Sequence, residues 1–334
     1  MSHANLVLPL LIALVAMAFA FDFLNGLHDA ANSIATAVST RLLSPVQAVI
    51  FAATCNFAAY FFFGLKVAET VGKGIIDKNV VTPEVIFGAL TGAMVWNVIT
   101  WWKGIPSSSS HALIGGLVGA GVEHGGVKAI VWHGLIPTTG AIVISPVVGL
   151  VVSMLLILIT SWMFIGARAS TAEGIFKKLH LLSAAAYSLG HGANDAQKTM
   201  GIIAVLLYSQ GLGGPHFHVP GWVVLGCYTA MGLGTLSGGW KIIETMGSRI
   251  TKLSHQQGFC ASAGGSIMLF AATYLGIPVS TTHTIAGCVV GVGAARRASA
   301  VRWGVAYRIV VAWLITIPAS ACVAAVFTKI AGLL

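Results

Sequence analysis

Two aspartates stand in stretches that otherwise carry almost no charge. Asp29 and Asp195 each follow a glycine by three residues, in Gly26-Leu27-His28-Asp29-Ala30 and Gly192-Ala193-Asn194-Asp195-Ala196. An ionisable side chain in such apolar surroundings is expensive and marks an ion pathway or a proton relay. The amides of Asn32, Asn194 and Gln197, with backbone carbonyls freed beside the glycines, complete a set of hard oxygen ligands around the carboxylates. That set suits a small cation, a sodium ion at Asp29 or Asp195, and an aspartate can also carry a proton in place of a metal. The competing structural reading is helix capping. Asp22 has Ser188 at its matching position, so it lacks a partner of this kind.

A second chemistry lies in two hydroxyl-rich runs. Pro106-Ser107-Ser108-Ser109-Ser110-His111 and Pro278-Val279-Ser280-Thr281-Thr282-His283 each follow Gly-Ile and sit between apolar segments. Proline removes a donor and pushes its predecessor out of helix, so each run marks a break. Ser and Thr then cap the helix that follows. The free N–H groups and positive dipole end of that helix form an anion site, to which the hydroxyls add neutral donors. A polar run of this kind is tolerated within a membrane only where it is satisfied or lines a cavity. The alternative reading is close helix packing through small residues. His111 and His283 match each other, as packing residues or as ligands and proton relays.

The elements that position these residues follow from a duplication. Residues 104–121 and 276–293 agree at nine of 18 positions, and the glycine–aspartate motifs match at 26–33 and 192–199, in the same order. One unit has therefore been repeated. Of the 334 residues 57% are hydrophobic and only 8% charged, with mean hydropathy +0.89. Soluble domains carry about 25% charged residues, so a soluble enzyme or nucleic-acid-binding domain is excluded. The expected fold is an all-α polytopic membrane protein. Residues 1–165 form the first repeat, 166–178 a cytoplasmic linker and 179–334 the second repeat. Each repeat is expected to hold a long helix broken at its aspartate motif, a spanning helix, a re-entrant hairpin and a final spanning helix. The hairpin arms fall at 85–103 with 109–122, and at 256–275 with 281–294.

The net charge of +9, from 18 Lys and Arg against nine Asp and Glu, resides in short loops. The positive-inside rule accounts for it without nucleic acid. Placing the N-terminus outside puts Arg41, Arg168, Lys177, Lys178, Lys241, Arg249, Lys252, Arg296, Arg297 and Arg302 inside, and only Lys66, Lys73, Lys78 and Lys128 outside. Matching loops then fall on opposite sides, the pattern of an inverted-topology repeat. Eight crossings leave both termini outside. No Lys or Arg precedes Arg41, so the first segment lacks a signal peptide's basic region and is expected to remain as a membrane helix. The five cysteines form no CxxC pair and read as small buried hydrophobes.

The paired motifs resemble those of the inorganic phosphate transporter family, the PiT-type anion permeases. His191-Gly192-Ala193-Asn194-Asp195 is similar to the family's duplicated Gly-Ala-Asn-Asp signature, and Gly26-Leu27-His28-Asp29-Ala30-Ala31-Asn32 resembles it with His28 at the Asn position. The resemblance covers nearly the whole chain. It implies a secondary active transporter, a symporter that imports inorganic phosphate with protons or sodium across the cell's inner membrane by an elevator-like or rocking movement. It assigns cation and phosphate binding to Asp29, Asn32 and Asp195. By the resemblance phosphate falls to Ser108, Ser109, Ser110, Ser280, Thr281 and Thr282, and Ser107, Asn32, Asn194, Gln197 and Lys198 are expected alongside. Lys198 stands where the first repeat has Asn32, and its ammonium is expected to neutralise Asp195 or contact phosphate. No cofactor beyond the coupling ion is implied. The partners are phosphate, a cation and lipid, with no nucleic acid, and a homo-oligomer is left open. Sulfate or another tetrahedral oxyanion on the same fold, and a passive anion channel, are the rival functions. An intramembrane hydrolase is disfavoured, because Ser110 and His111 are adjacent and helical neighbours diverge by about 100°.

Overall fold

The computed structural model describes residues 3–214 and 216–333, with no side-chain description for 3–7 and 142. The outermost ends of the expected first and second repeats, residues 1–2 and 334, lie outside the described residues. The described residues are almost entirely helical and contain no β-strand. In order, the helices are α1 (His3–Ser39), α2 (Pro45–Ala58), α3 (Lys66–Gly74), α4 (Pro83–Lys103), α5 (Ser109–Gly125), α6 (Trp132–Met163), α7 (Ala169–Ser209), α8 (Gly221–Ser237), α9 (Trp240–Glu244), α10 (His255–Leu275), α11 (Thr281–Arg296) and α12 (Trp303–Ala331). A π-helical turn, Thr245–Arg249, continues α9.

The two hairpins form where their local signals place them. Thr82 and Ser254 cap the first arms α4 and α10 through their side chains. Gly104 and Gly276 end those arms at φ +65° and +72°, the left-handed conformation that glycine adopts without strain. The next residue closes each turn: the Ile105 N–H bonds the Thr100 carbonyl at 2.9 Å and that of Ile277 bonds Ala272 at 2.8 Å. Ser108 and Ser280 then cap α5 and α11 by accepting from the N–H groups of His111 and His283, at 3.3 and 3.1 Å.

Each repeat also contains a broken helix, but not at its aspartate motif. α1 and α7 run unbroken through Asp29 and Asp195. The breaks fall in the next element, between α2 and α3 with a bend of 84°, and between α8 and α9. The reason lies in the glycines. A Cβ on Gly26 of α1 would strike the Met231 carbonyl of α8, and one on Gly192 of α7 would strike the Asn56 carbonyl of α2. These glycines allow helices to touch backbone to backbone, as small residues do in membranes, and do not unwind them. Gly26→Ala is expected to lower the thermal midpoint of the purified protein, by an overpacking cost of about 1–3 kcal/mol. An unchanged midpoint would show that the helices can separate freely.

The contacts are exchanged between the repeats: α1 with α8 and α7 with α2 at the glycines just described, α5 with α12 and α11 with α6 elsewhere. A Cβ on Gly115 or Gly119 of α5 would meet Ile317 or Ala321 of α12, and one on Gly287 or Gly291 of α11 would meet Pro146 or Leu150 of α6. The turns are latched in the same crossed manner. The Lys66 ammonium donates to the Tyr274 carbonyl at 3.1 Å and Thr70 to Gly276 at 2.7 Å, while Lys241 donates to Trp102 at 3.1 Å and Thr245 to Gly104 at 3.1 Å. The broken helix of each repeat thus holds the hairpin of the other.

Among the described residues, five helices are long and apolar enough to cross a membrane (α1, α4, α6, α10 and α12), or six with the bent pair α2 and α3. Eight such spans are not available. α5, α8 and α11 have 16 or 17 residues, short of the about 20 that a 30 Å core needs. The outer face of α6 exposes Val143, Val147, Val151, Leu155 and Leu158, with exposed Trp132 and Trp162 at its two ends, a lipid-facing pattern with interfacial anchors. Most of the expected linker, 166–178, is helical. Helix α7 already begins at Ala169, helped by a Glu173–Lys177 pair of i,i+4 spacing at 3.1 Å.

Candidate functional site

The long helices α1 and α7 carry the aspartates to the N-termini of α5 and α11. The Ser109 hydroxyl donates to Asp29 at 2.6 Å, and the matching Thr281 hydroxyl donates to Asp195 at 2.9 Å. One residue further on, each hydroxyl turns to the opposite repeat. Ser110 accepts from the Lys198 ammonium at 2.5 Å, and Thr282 accepts from the Asn32 amide at 2.8 Å and donates to Asp29 at 3.4 Å. The four contacts form two equivalent sets, Ser109–Asp29 with Thr281–Asp195 and Ser110–Lys198 with Thr282–Asn32.

All eight side chains are at least 95% buried. The cluster holds two carboxylates and one ammonium. Lys198 bonds Asp195 at 2.5 Å, and also the Val279 carbonyl at 2.7 Å. Asp29, Asp195 and His191 bring ligand atoms within 4.8 Å of one another. Helices α5 and α11 begin at this cluster, and the first N–H groups of a helix have no partner within it. Together they supply oxygen ligands for a cation and neutral donors for an anion, side by side.

Not every expected residue joins this cluster. Ser108 and Ser280 are engaged as caps. Ser107 turns aside to Thr100 at 3.0 Å. Asn194 braces the second hairpin, donating to Thr273 at 3.1 Å and the Ile277 carbonyl at 3.3 Å and accepting from the Val279 N–H at 3.2 Å. Gln197 serves the break before α3, where its amide oxygen accepts from Val67 and Ala68 and its nitrogen donates to Gly64. Asp22 is buried outside this set of eight, accepting from Thr199 at 2.9 Å and from Asn25 at 3.5 Å.

The structure adds residues that sequence reasoning did not assign. His28 bonds Asp29 at 2.7 Å and Thr100 at 3.1 Å, and it approaches Ser107. It therefore braces the first hairpin as Asn194 braces the second, which the alignment of His28 with Asn194 could have signalled. Asn25 Oδ1 lies 2.5 Å from the Ser109 hydroxyl and shares its proton with Asp29, and Tyr187 donates to the Thr281 carbonyl at 2.8 Å. His191, next to the second motif, lies 3.3 Å from Asp195. His111 and His283 meet with ring centroids 4.3 Å apart, and His283 stacks on Trp313.

Ser110 faces Lys198 while His111 faces His283, so these neighbours form no nucleophile–base pair. The fold is that of a membrane transporter, and the family and relatives it matches are transporters, not enzymes. Residues 25–324 match the phosphate transporter family, and the chain belongs to that family. It is 64% identical over 322 residues to a probable low-affinity inorganic phosphate transporter of Rhizobium meliloti, covering 96% of both chains. It is 43% identical over 324 residues to a protein of the same description from Bacillus subtilis, covering 96% of this chain and 97% of that one. A solved structure of a sodium-dependent phosphate transporter superposes with a TM-score of 0.89 at 26% identity, covering 98% of this chain and all of the other.

Proposed function

We propose that the chain is a secondary active transporter that imports inorganic phosphate together with a monovalent cation, sodium or a proton. The observation that carries this reading is the convergence of two matched helix N-termini on a buried carboxylate pair. A phosphate held there would take hydrogen bonds from Ser109, Ser110, Thr281, Thr282 and Asn32, and charge balance from Lys198. Its own charge repels Asp29 and Asp195 unless a cation arrives with it. That electrostatic requirement is the physical basis of coupling: each ion raises the affinity for the other.

In this reading α1, the α2–α3 pair, α6, α7, α8 with α9, and α12 cross the membrane. The hairpins α4–α5 and α10–α11 enter from opposite sides in an inverted repeat. Both termini lie outside the inner membrane, as the distribution of loop lysines and arginines favours.

The test is uptake of labelled phosphate into proteoliposomes with sodium and proton gradients imposed separately. Concentrative uptake driven by one of them, outcompeted by unlabelled phosphate and not by sulfate, is expected. Equilibration without accumulation would make the protein a channel, and equal competition by sulfate would broaden its substrate class.

A further inference from the structure

The two repeats treat their aspartates differently, and the difference lies at one position. Lys198 is 2% exposed, and its ammonium donates to three oxygens from three elements: Asp195 Oδ1, Ser110 Oγ and the Val279 carbonyl, at 2.5, 2.5 and 2.7 Å. This is an oxygen cage with a cation already in it. The repeat supplies a counterpart for each oxygen. Asp29 matches Asp195, Thr282 matches Ser110, and the carbonyl of Ser107 matches that of Val279. At the place of the ammonium the first repeat has Asn32. Its amide nitrogen donates to Thr281 and Thr282, while its Oδ1 is buried without a hydrogen-bond partner. This unpaired acceptor belongs to a residue about one helical turn from Asp29 on the unbroken α1.

We propose that Lys198 is a tethered coupling cation. It fills in the second repeat the place that a mobile monovalent cation takes in the first, at Asp29 and the free Oδ1 of Asn32. This rests on the phosphate-transport reading and deepens it. The two carboxylates alone would call for two mobile cations. With one of these replaced by a side chain, each phosphate crosses with one cation bound at the carboxylates. The lysine cannot leave with the substrate, so it balances charge in every state of the cycle but contributes nothing to the driving force. The transporter therefore concentrates phosphate less steeply than one with two mobile ions, and it does so without needing a high cation concentration to fill a second site.

The experiment measures, in proteoliposomes with the membrane potential clamped at zero, how the steady-state phosphate accumulation ratio varies with the imposed sodium or proton gradient. For the wild type a first-power dependence on one of the two gradients is expected; sodium and the proton are the two arms. Lys198→Asn is expected to reduce uptake at least tenfold at low cation concentration, to recover at high concentration, and to change the dependence to second power. Lys198→Arg retains a fixed charge and is expected to keep the first power. A second-power dependence in the wild type overturns the proposal by itself, even if the variants fail to fold. So does Lys198→Asn with wild-type uptake and a first-power dependence. A wild type that takes up no phosphate under either gradient would instead refute the transport reading on which the proposal rests.

Discussion

Asp195→Asn is expected to abolish gradient-driven phosphate accumulation. The substitution keeps the size of the side chain and its contact with Thr281, but removes the charge that faces Lys198. Breaking a buried ion pair by deleting one partner costs about 3–5 kcal/mol, because the other charge remains buried and uncompensated. The single variant should therefore lose thermal stability as well as transport. Asp195→Asn combined with Lys198→Met removes both charges and should regain much of the stability without regaining accumulation. That split separates a transport role from a merely structural one. Unchanged accumulation by the single variant would remove Asp195 from the mechanism. The same measurement on Asp29→Asn tests the first repeat, where no lysine is present and the loss of stability should be smaller.

The second large effect is expected at the hairpin tips. Ser109→Ala and Thr281→Ala each delete a hydroxyl that bonds a carboxylate at 2.6 or 2.9 Å. A hydrogen bond to a charged group is worth about 1.5–3 kcal/mol. Each variant should therefore weaken phosphate uptake roughly ten- to a hundredfold, read as a rise in the half-saturating concentration with the protein still folded. Because the two residues occupy matching places, their losses should be similar. Wild-type affinity in both variants would count against an anion site at the tips. A loss in one alone would mean that the repeats do not share the substrate equally.

Local signals carried most of this site into the sequence. The arms expected at 85–103 and 256–275 form Pro83–Lys103 and His255–Leu275, because Gly-Ile-Pro stops a helix and the following Ser run starts one within a few residues. Asp29, Asp195, Asn32 and Lys198 were legible because the duplication sets them against each other. What could not be read was long-range. The glycines beside the aspartates look like points of unwinding, yet they are points of contact with α8 and α2, partners about 200 residues or 140 residues away in sequence. Gln197 carries an amide suited to phosphate, but its bonds go to Gly64, Val67 and Ala68, and no local pattern in either segment announces that meeting.

The crossed latches at Gly104 and Gly276 bear on how such a chain can be assembled at all. Each repeat lends the other the lysine and threonine that close its hairpin turn. The two hairpin turns are thus bonded across the halves of the chain and not within them. Cut between α6 and α7, either piece would lose these donors to its own turn carbonyls and this acceptor for its own lysine. The first hairpin to be synthesised must wait for α9 before it can lock, and the second finds its latch already made.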